Sequence, residues 1–187
     1  MIAILSQNWP VSQGLSPVRR PLIAFTPKSL LRLKAAVSEI DDFTTGTFQP
    51  VLGDEMTRPG GEFASAPDPG AVRRVLLCSG KVYYDLAAAQ KAQESRDIAV
   101  VRVEQLYPLP VEELGAELGR FPGAELVWVQ EEPANQGGWP FIALNLPEHL
   151  EGRPLLRVSR RASASPAVGS QRIHEAQQRE IVATAFG

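Results

Sequence analysis

The sequence predicts an α/β domain with three layers, in which helices flank a mostly parallel sheet of about five strands. Short apolar runs with the length and composition of buried strands occur at 75–78, 98–103, 124–129 and 155–158. Segments with helical spacing of apolar residues lie between them, and this alternation is typical of parallel sheets. The runs lack a strict polar–apolar alternation, as expected for strands that are covered on both faces.

The N-terminal part of the chain has a different character. Residues 1–18 mix Gln, Asn, Ser, Pro and Gly without a sustained period, so they are interpreted as an arm that does not match the domain predicted at 19–187. An apolar stretch at 21–26 predicts a strand, and 48–52 predicts a short extended piece. Residues 53–70 are rich in Pro, Gly and charge, which predicts a surface loop within the domain.

Four helices are predicted between and after the strands. Two have an apolar stripe, one carrying Val82, Leu86 and Ala89, the other carrying Leu114 and Leu118 after Pro110. The remaining two are expected at 142–146 and 170–186. Each helix follows a predicted strand, as the crossover connections of a parallel sheet require.

Composition excludes several classes of function. The net charge is −2 and no long basic run occurs, which argues against binding to nucleic acid. Cys78 is the single cysteine, and His149 and His174 are isolated in sequence, so neither a disulfide framework nor a zinc site is predicted. No apolar run approaches the roughly 20 residues of a membrane helix. We therefore expect a soluble, cytoplasmic protein.

The stretch 127–140 is expected to carry the function, because it ends a strand at the carboxyl edge of the sheet, where ligands and partners dock. Pro133 is expected to stop the strand. Glu131 and Glu132 are adjacent carboxylates just before this proline. Adjacent residues on an extended segment point to opposite sides, which disfavours their use as a catalytic acid/base pair. The carboxylates are expected instead to accept hydrogen bonds from the glycine loop or from an arginine across an interface. The candidate interface residues are Glu131, Glu132, Asn135, Gln136, Gly137, Gly138 and Trp139.

A second candidate site would bind an anion. Ser79 and Lys81 lie where a strand meets a helix, and free N–H groups at a helix start favour anions. Arg160 and Arg161 form a basic cluster before the last helix. A plain helix cap and a solvated basic surface are the alternative interpretations. A hydrolase triad using His174 with Ser79, Ser159 or Ser170 is disfavoured, because no Gly-x-Ser-x-Gly elbow occurs.

Six strings of residues resemble one known family. They lie at 20–32 (RPLIAFTPKSLLR), 76–86 (LLCSGKVYYDL), 101–110 (VRVEQLYPLP), 128–139 (WVQEEPANQGGW), 159–169 (SRRASASPAVG) and 183–187 (ATAFG). In this order they resemble the C-terminal domain of the first, decarboxylating component of the 2-oxoglutarate dehydrogenase complex. The resemblance implies a transketolase-like C-terminal domain with a structural and dimerisation role.

The same resemblance implies what the complete enzyme does. It would decarboxylate 2-oxoglutarate with thiamine diphosphate and Mg, held between two other domains, and pass the succinyl group to a lipoyl carrier. The Gly-Asp-Gly…Asn signature for that cofactor does not occur in this sequence. No catalytic, cofactor or metal residue therefore carries over, and the chain is expected to be inactive alone.

The implied partners are the remaining domains, a second copy of the chain and the lipoyl-bearing succinyltransferase core. Residues 1–18 do not resemble what precedes this domain in the family. Two interpretations stay open at this point, a fragment of a longer enzyme and a separately encoded subunit. A stand-alone regulatory module that binds an anion, CoA or a nucleotide is the alternative function.

Overall fold

The computed structural model describes residues 26–57 and 68–187, which belong to two compact units divided between Gln49 and Pro50. In the first unit, two short 3-10 turns, Lys28–Arg32 and Lys34–Ala36, precede helix α1, Ile40–Thr44. Helix α1 begins where the backbone N–H of Glu39 donates to Asp42 Oδ2 at 3.1 Å. The predicted arm at 1–18 lies outside the described residues, as does the strand predicted at 21–26 apart from Thr26.

The second unit contains a five-stranded sheet in the order β1-β3-β2-β4-β5. Its strands are β1 Val51–Leu52, β2 Arg74–Cys78, β3 Ile98–Val103, β4 Glu125–Pro133 and β5 Leu155–Arg160. Strand β1 pairs antiparallel with β3, whereas the other three pairs are parallel. The predicted fold class, including the mostly parallel sheet and the number of strands, is confirmed.

Helices cover both faces of this sheet. They are α2 Val82–Ala92, α3 Val111–Leu118, α4 Trp139–Asn145 and α5 Gln171–Phe186. Trp128 of β4 belongs to the core that contains residues of α3 and α4, whereas its neighbour Val127 belongs to the core that contains residues of α2 and α5. Burial on both faces explains why the strands show no polar–apolar alternation. None of the helices in the described part of the chain is long and apolar enough to cross a membrane.

Strand β4 is longer than predicted, because Pro133 does not stop it. The pairing between β2 and β4 reaches only Val129, opposite Cys78. Beyond that point β4 continues with β5 alone, through an irregularity in register, until Pro133 pairs with Arg160. Proline is tolerated in a strand segment that lies at an edge of the sheet. Residues 130–133 of β4 therefore extend beyond the end of β2.

The loop predicted at 53–70 is only partly a surface feature. Of its residues, the structure describes 53–57 and 68–70, and three of the first group are buried. Asp54, Met56 and Thr57 are 1%, 6% and 2% exposed. The prediction of a surface loop is therefore wrong for residues 53–57, although they form no strand or helix.

Cys78 is expected to be chemically inert in the folded protein. It is fully buried, and burial raises the pKa of its thiol to about 12. Because the thiolate is the reactive form, Ellman's reagent at about pH 8 should not modify the native chain and should modify one thiol after denaturation in urea. A Ser165→Cys variant, with a thiol on an exposed loop, provides the reactive control. Fast modification of Cys78 in the native protein would contradict the observed packing.

Candidate functional site

Gln130 organises the carboxyl end of β4. Its side chain is enclosed, with the residue 3% exposed. The Oε1 atom accepts from Trp128 Nε1 at 2.9 Å and from the backbone N of Trp139 at 2.8 Å. The Nε2 atom donates to the carbonyl oxygens of Gln136 at 2.7 Å and Pro133 at 3.1 Å. One amide thus joins the strand, the following loop and the first residue of α4.

The two glycines of this loop are required by close packing. Gly137 has φ +68°, and a Cβ there would lie 3.0 Å from Gln130 Nε2. At Gly138 a Cβ would lie 2.9 Å from Trp128 Cζ2. Larger residues would therefore push the loop away from the Gln130 amide and the indole ring.

The two carboxylates of the acidic pair lie apart, as the alternation along a strand predicts. Glu131 Oε2 is 3.0 Å from Lys81 Nζ and 3.5 Å from Gln178 Nε2, whereas Glu132 is exposed. Within the described residues the partners of Glu131 are therefore Lys81 and Gln178 and not the glycine loop, whereas the expected arginine across an interface stays a prediction. The hydrogen bonds expected between the acids and the loop are made instead by Gln130.

Lys81 is not free to bind an anion. It lies in the turn before α2, where Gly80 has φ +74° and Ser79 is half-buried. Its Nζ is 3.0 Å from Glu131 and 4.0 Å from Asp85, so two carboxylates already neutralise the ammonium group. The anion site predicted from Ser79 and Lys81 is therefore disfavoured at this turn.

Arg160 belongs to the same polar network, but its partners are not carboxylates. Its Nη2 atom donates to His174 Nδ1 at 2.8 Å and to Gln178 Oε1 at 3.3 Å. Gln178 Nε2 in turn donates to Asp85 at 2.8 Å. Gln178 therefore connects the carboxylates around Lys81, in the turn after β2, with Arg160 at the end of β5.

The serines considered for a hydrolase triad are not arranged as nucleophiles. The hydroxyl of Ser159 donates to the carbonyl oxygen of Arg160 at 3.0 Å. His174 Nδ1 is occupied by Arg160, and Ser170 is the residue that precedes α5. The described residues give these serines no activating base, so a hydrolase function finds no support in the geometry.

A second loop, 161–169, is fastened to the first. Asn135 Nδ2 donates to the carbonyl oxygen of Ser163, and the backbone N of Ser163 donates to Asn135 Oδ1, both at 3.0 Å. Gln136 Nε2 donates to the same carbonyl oxygen at 2.9 Å. The Asn135 amide thus pairs with the backbone of Ser163 as the backbone of a neighbouring strand would. These hydrogen bonds connect the two loops at the carboxyl edge.

A comparison with protein-family models decides the family. The model described as 2-oxoglutarate dehydrogenase C-terminal matches residues 37–186. The chain belongs to this family. Two of the stretches that carried the resemblance, 128–139 and 159–169, are joined by hydrogen bonds at the carboxyl edge.

Relatives in the family are much longer proteins. The "Multifunctional 2-oxoglutarate metabolism enzyme" of Mycolicibacterium vanbaalenii is 49% identical over 177 residues, which cover 93% of this chain and 14% of the relative. The enzyme of the same name from Mycobacterium sp. strain JLS is 48% identical over 178 residues, covering 92% and 14%. The chain thus spans about 14% of the length of these relatives. Among solved structures, "Split gene transketolase, inactive beta4 tetramer" aligns with TM-score 0.48 and 16% identity, covering 75% of this chain and 43% of that chain.

The described residues do not fit the cofactor that the resemblance implies for the complete enzyme. Residues 26–57 and 68–187 contain no group of three His, Cys, Asp or Glu side chains that could hold a metal ion. Lys81, in the turn before α2, is already paired with Glu131 of the domain itself. No chemical step through thiamine diphosphate can therefore be assigned to these residues.

An exposed apolar surface lies beside the site. Tyr107 and Leu144 are each 82% exposed, and the ring of Tyr107 stands edge-on to Phe141 of α4 with 6.3 Å between centroids. Next to it, the guanidinium of Arg157 lies 5.3 Å from the ring centre of Trp139. Exposed aromatic and aliphatic groups beside a well-ordered polar loop are typical of protein–protein contacts.

Proposed function

We propose that this chain acts as the non-catalytic C-terminal domain of a multidomain, thiamine-dependent 2-oxoglutarate dehydrogenase, and that its carboxyl edge contacts the rest of that enzyme. The observation that carries the proposal is the ordered loop 130–139 beside exposed Tyr107 and Leu144. The loop is held by hydrogen bonds to the Gln130 amide, and it lacks the converging nucleophile, base and oxyanion donors of an active site. Membership of the 2-oxoglutarate dehydrogenase C-terminal family and the names of the relatives support a role in 2-oxoglutarate metabolism for the whole enzyme.

The cofactor and partners follow from the same proposal. Thiamine diphosphate and Mg are held by other domains of the enzyme, which decarboxylates 2-oxoglutarate and transfers the succinyl group. The complete enzyme is a cytoplasmic homodimer that works with a lipoyl-bearing succinyltransferase core. In this arrangement Glu131, Glu132, Asn135, Gln136, Gly137, Gly138 and Trp139 lie at or near the contact between domains or subunits.

A chimera tests this function. The matching 177-residue segment of the Mycolicibacterium vanbaalenii enzyme is replaced by this chain, with which it is 49% identical. Because the proposed domain contributes structure and not chemistry, the chimera should decarboxylate 2-oxoglutarate, and this chain alone should not. Leu144→Lys in the chimera should place a charge in the apolar contact and reduce both assembly and activity by about tenfold or more. Activity and sedimentation are measured together.

The control substitution is Ala183→Lys, at an exposed position on α5. It adds the same charge away from the proposed contact and should leave assembly unchanged. The melting temperature of the isolated chain should be the same with and without Leu144→Lys, because the side chain is already in solvent. A chimera that assembles and works normally with Leu144→Lys would refute the proposed contact, and a folded but inactive chimera would refute the proposed function.

A further inference from the structure

A large cleft lies between strand β5, the loop 161–169 and helix α5. Its volume is about 1030 Å³, at the upper end of the range for small-molecule sites. Arg157, Arg160 and Arg161 all line it, whereas Glu180 is its one acidic lining residue among those described. Val168 and Ile173 add apolar surface. The cleft is therefore cationic, with an apolar wall.

The three arginines differ from four ion-paired arginines of the domain in lacking a carboxylate. Four arginines elsewhere form ion pairs of 2.6–2.7 Å, namely Arg73 with Asp97, Arg74 with Glu125, Arg102 with Glu104 and Arg120 with Glu117. Within the described residues, no carboxylate lies within ion-pair distance of Arg157, Arg160 or Arg161. Arg157 rests on an indole ring and Arg160 on His174 and Gln178, so the positive charge of the cleft is not neutralised.

Arg160 is also incompletely hydrogen-bonded. Its Nε atom is buried and finds no acceptor among residues 26–57 and 68–187. A buried guanidinium N–H without an acceptor is unfavourable, and native structures rarely retain one. Because this Nε–H is enclosed, an oxyanion in the cleft would meet the guanidinium at its terminal nitrogens, whose planar geometry matches the paired oxygens of phosphate and carboxylate.

The loop that forms one wall is held in place before any ligand arrives. Ser163 is fixed to Asn135 and Gln136, and its Oγ atom accepts from the backbone N of Ser165 at 3.1 Å. Arg161, two residues before Ser163, is thereby kept on a fastened loop next to Arg160. A prearranged wall lowers the entropy that binding must overcome.

We propose that this cleft binds a small organic anion with at least two negative charges, such as a phosphate ester or a dicarboxylate. Arg160 and Arg161 hold the anionic group, and the apolar wall at Val168 and Ile173 receives the organic part. The site is formed by residues of this chain alone, so its test does not depend on the multidomain function proposed above. Of the four residues predicted for an anion site, it keeps Arg160 and Arg161 and leaves out Ser79 and Lys81.

The proposal is tested by titrating the 187-residue chain with inorganic phosphate, phenyl phosphate and glutarate at low ionic strength, where charge–charge attraction is least screened. Calorimetry measures affinity, and NMR spectra of the arginine Nε–Hε groups locate the ligand. Saturable binding is expected, with the largest shifts at Arg160 and Arg161. Tighter binding of phenyl phosphate than of phosphate would show that the apolar wall takes part, and comparison with glutarate separates phosphate from carboxylate recognition.

The variants are chosen to leave the domain folded, so that a change in affinity reports on the cleft. Arg161→Ala changes an exposed side chain and should weaken binding by about tenfold or more. Arg160→Lys keeps the charge but removes the fork, and should also weaken binding. Arg172→Ala removes an equal charge from an exposed position on α5 outside the cleft and should change nothing. No saturable binding of any probe up to about 10 mM, or equal losses in all three variants, would overturn the site.

Discussion

Gln130→Ala is expected to destabilise the domain by about 3 kcal/mol, a large effect for one polar side chain. The substitution removes the acceptor used by Trp128 Nε1 and the backbone N of Trp139, and the donor used by the carbonyl oxygens of Pro133 and Gln136. Each buried polar group left without a partner costs about 1–3 kcal/mol, only part of which water entering the gap can recover. Urea unfolding measures the loss, and near-ultraviolet circular dichroism reports the tryptophans.

Two further variants test whether the amide group of Gln130, and not the volume of its side chain, stabilises the loop. Gln130→Glu keeps an oxygen for the tryptophans but points a second oxygen at carbonyl groups, so it should be nearly as damaging at neutral pH. Gln136→Ala removes a side chain whose one hydrogen bond to the described residues is to the Ser163 carbonyl, and it should cost less than about 1 kcal/mol. Equal losses for Gln130→Ala and Gln136→Ala would show that Gln130 does not organise the loop.

The sheet could be predicted from sequence because its signals are local. Strand β3 has the bounds predicted for it, since an apolar, β-branched run of six residues suits a strand buried on both faces. The carboxyl edge was also predictable, because parallel strands joined by helices deliver their following loops to the same side. The end of β4 was predicted wrongly at Pro133. Proline is excluded from a central strand because hydrogen bonding to a neighbouring strand needs the N–H that it lacks, but β2 no longer runs beside β4 at this point.

The contacts of the site could not be predicted, because each joins side chains from separate segments. Glu131 meets Lys81 only after β4 is placed beside β2 in the sheet, and no local pattern distinguishes that partner from an arginine elsewhere. Gln130 carries one usable signal. It lies two residues after Trp128, so both side chains point to the same face of the strand. That spacing places the amide near the indole but does not reveal that the loop folds back over it.

Asp54→Asn is expected to destabilise the domain by about 2–4 kcal/mol, although the residue lies in a segment with the composition of a surface loop. Asp54 Oδ1 accepts from the backbone N of Val100 at 2.9 Å and from Gln90 Nε2 at 3.0 Å, and Oδ2 accepts from the backbone N of Thr57 at 2.7 Å. An asparagine has one oxygen, so its NH2 group must face one of these donors. The expected measurements are a lower urea midpoint and faster hydrogen exchange at the Val100 amide.

The neighbouring Glu55 provides the control for Asp54, because it carries the same charge on the same segment but is exposed. Glu55→Gln should change stability by less than about 0.5 kcal/mol. If Asp54→Asn proved equally mild, the segment 53–57 would not be fastened to β3 and α2. The expected contrast has a structural meaning, since a buried carboxylate that satisfies three N–H groups can anchor a loop that contributes few apolar side chains to the core.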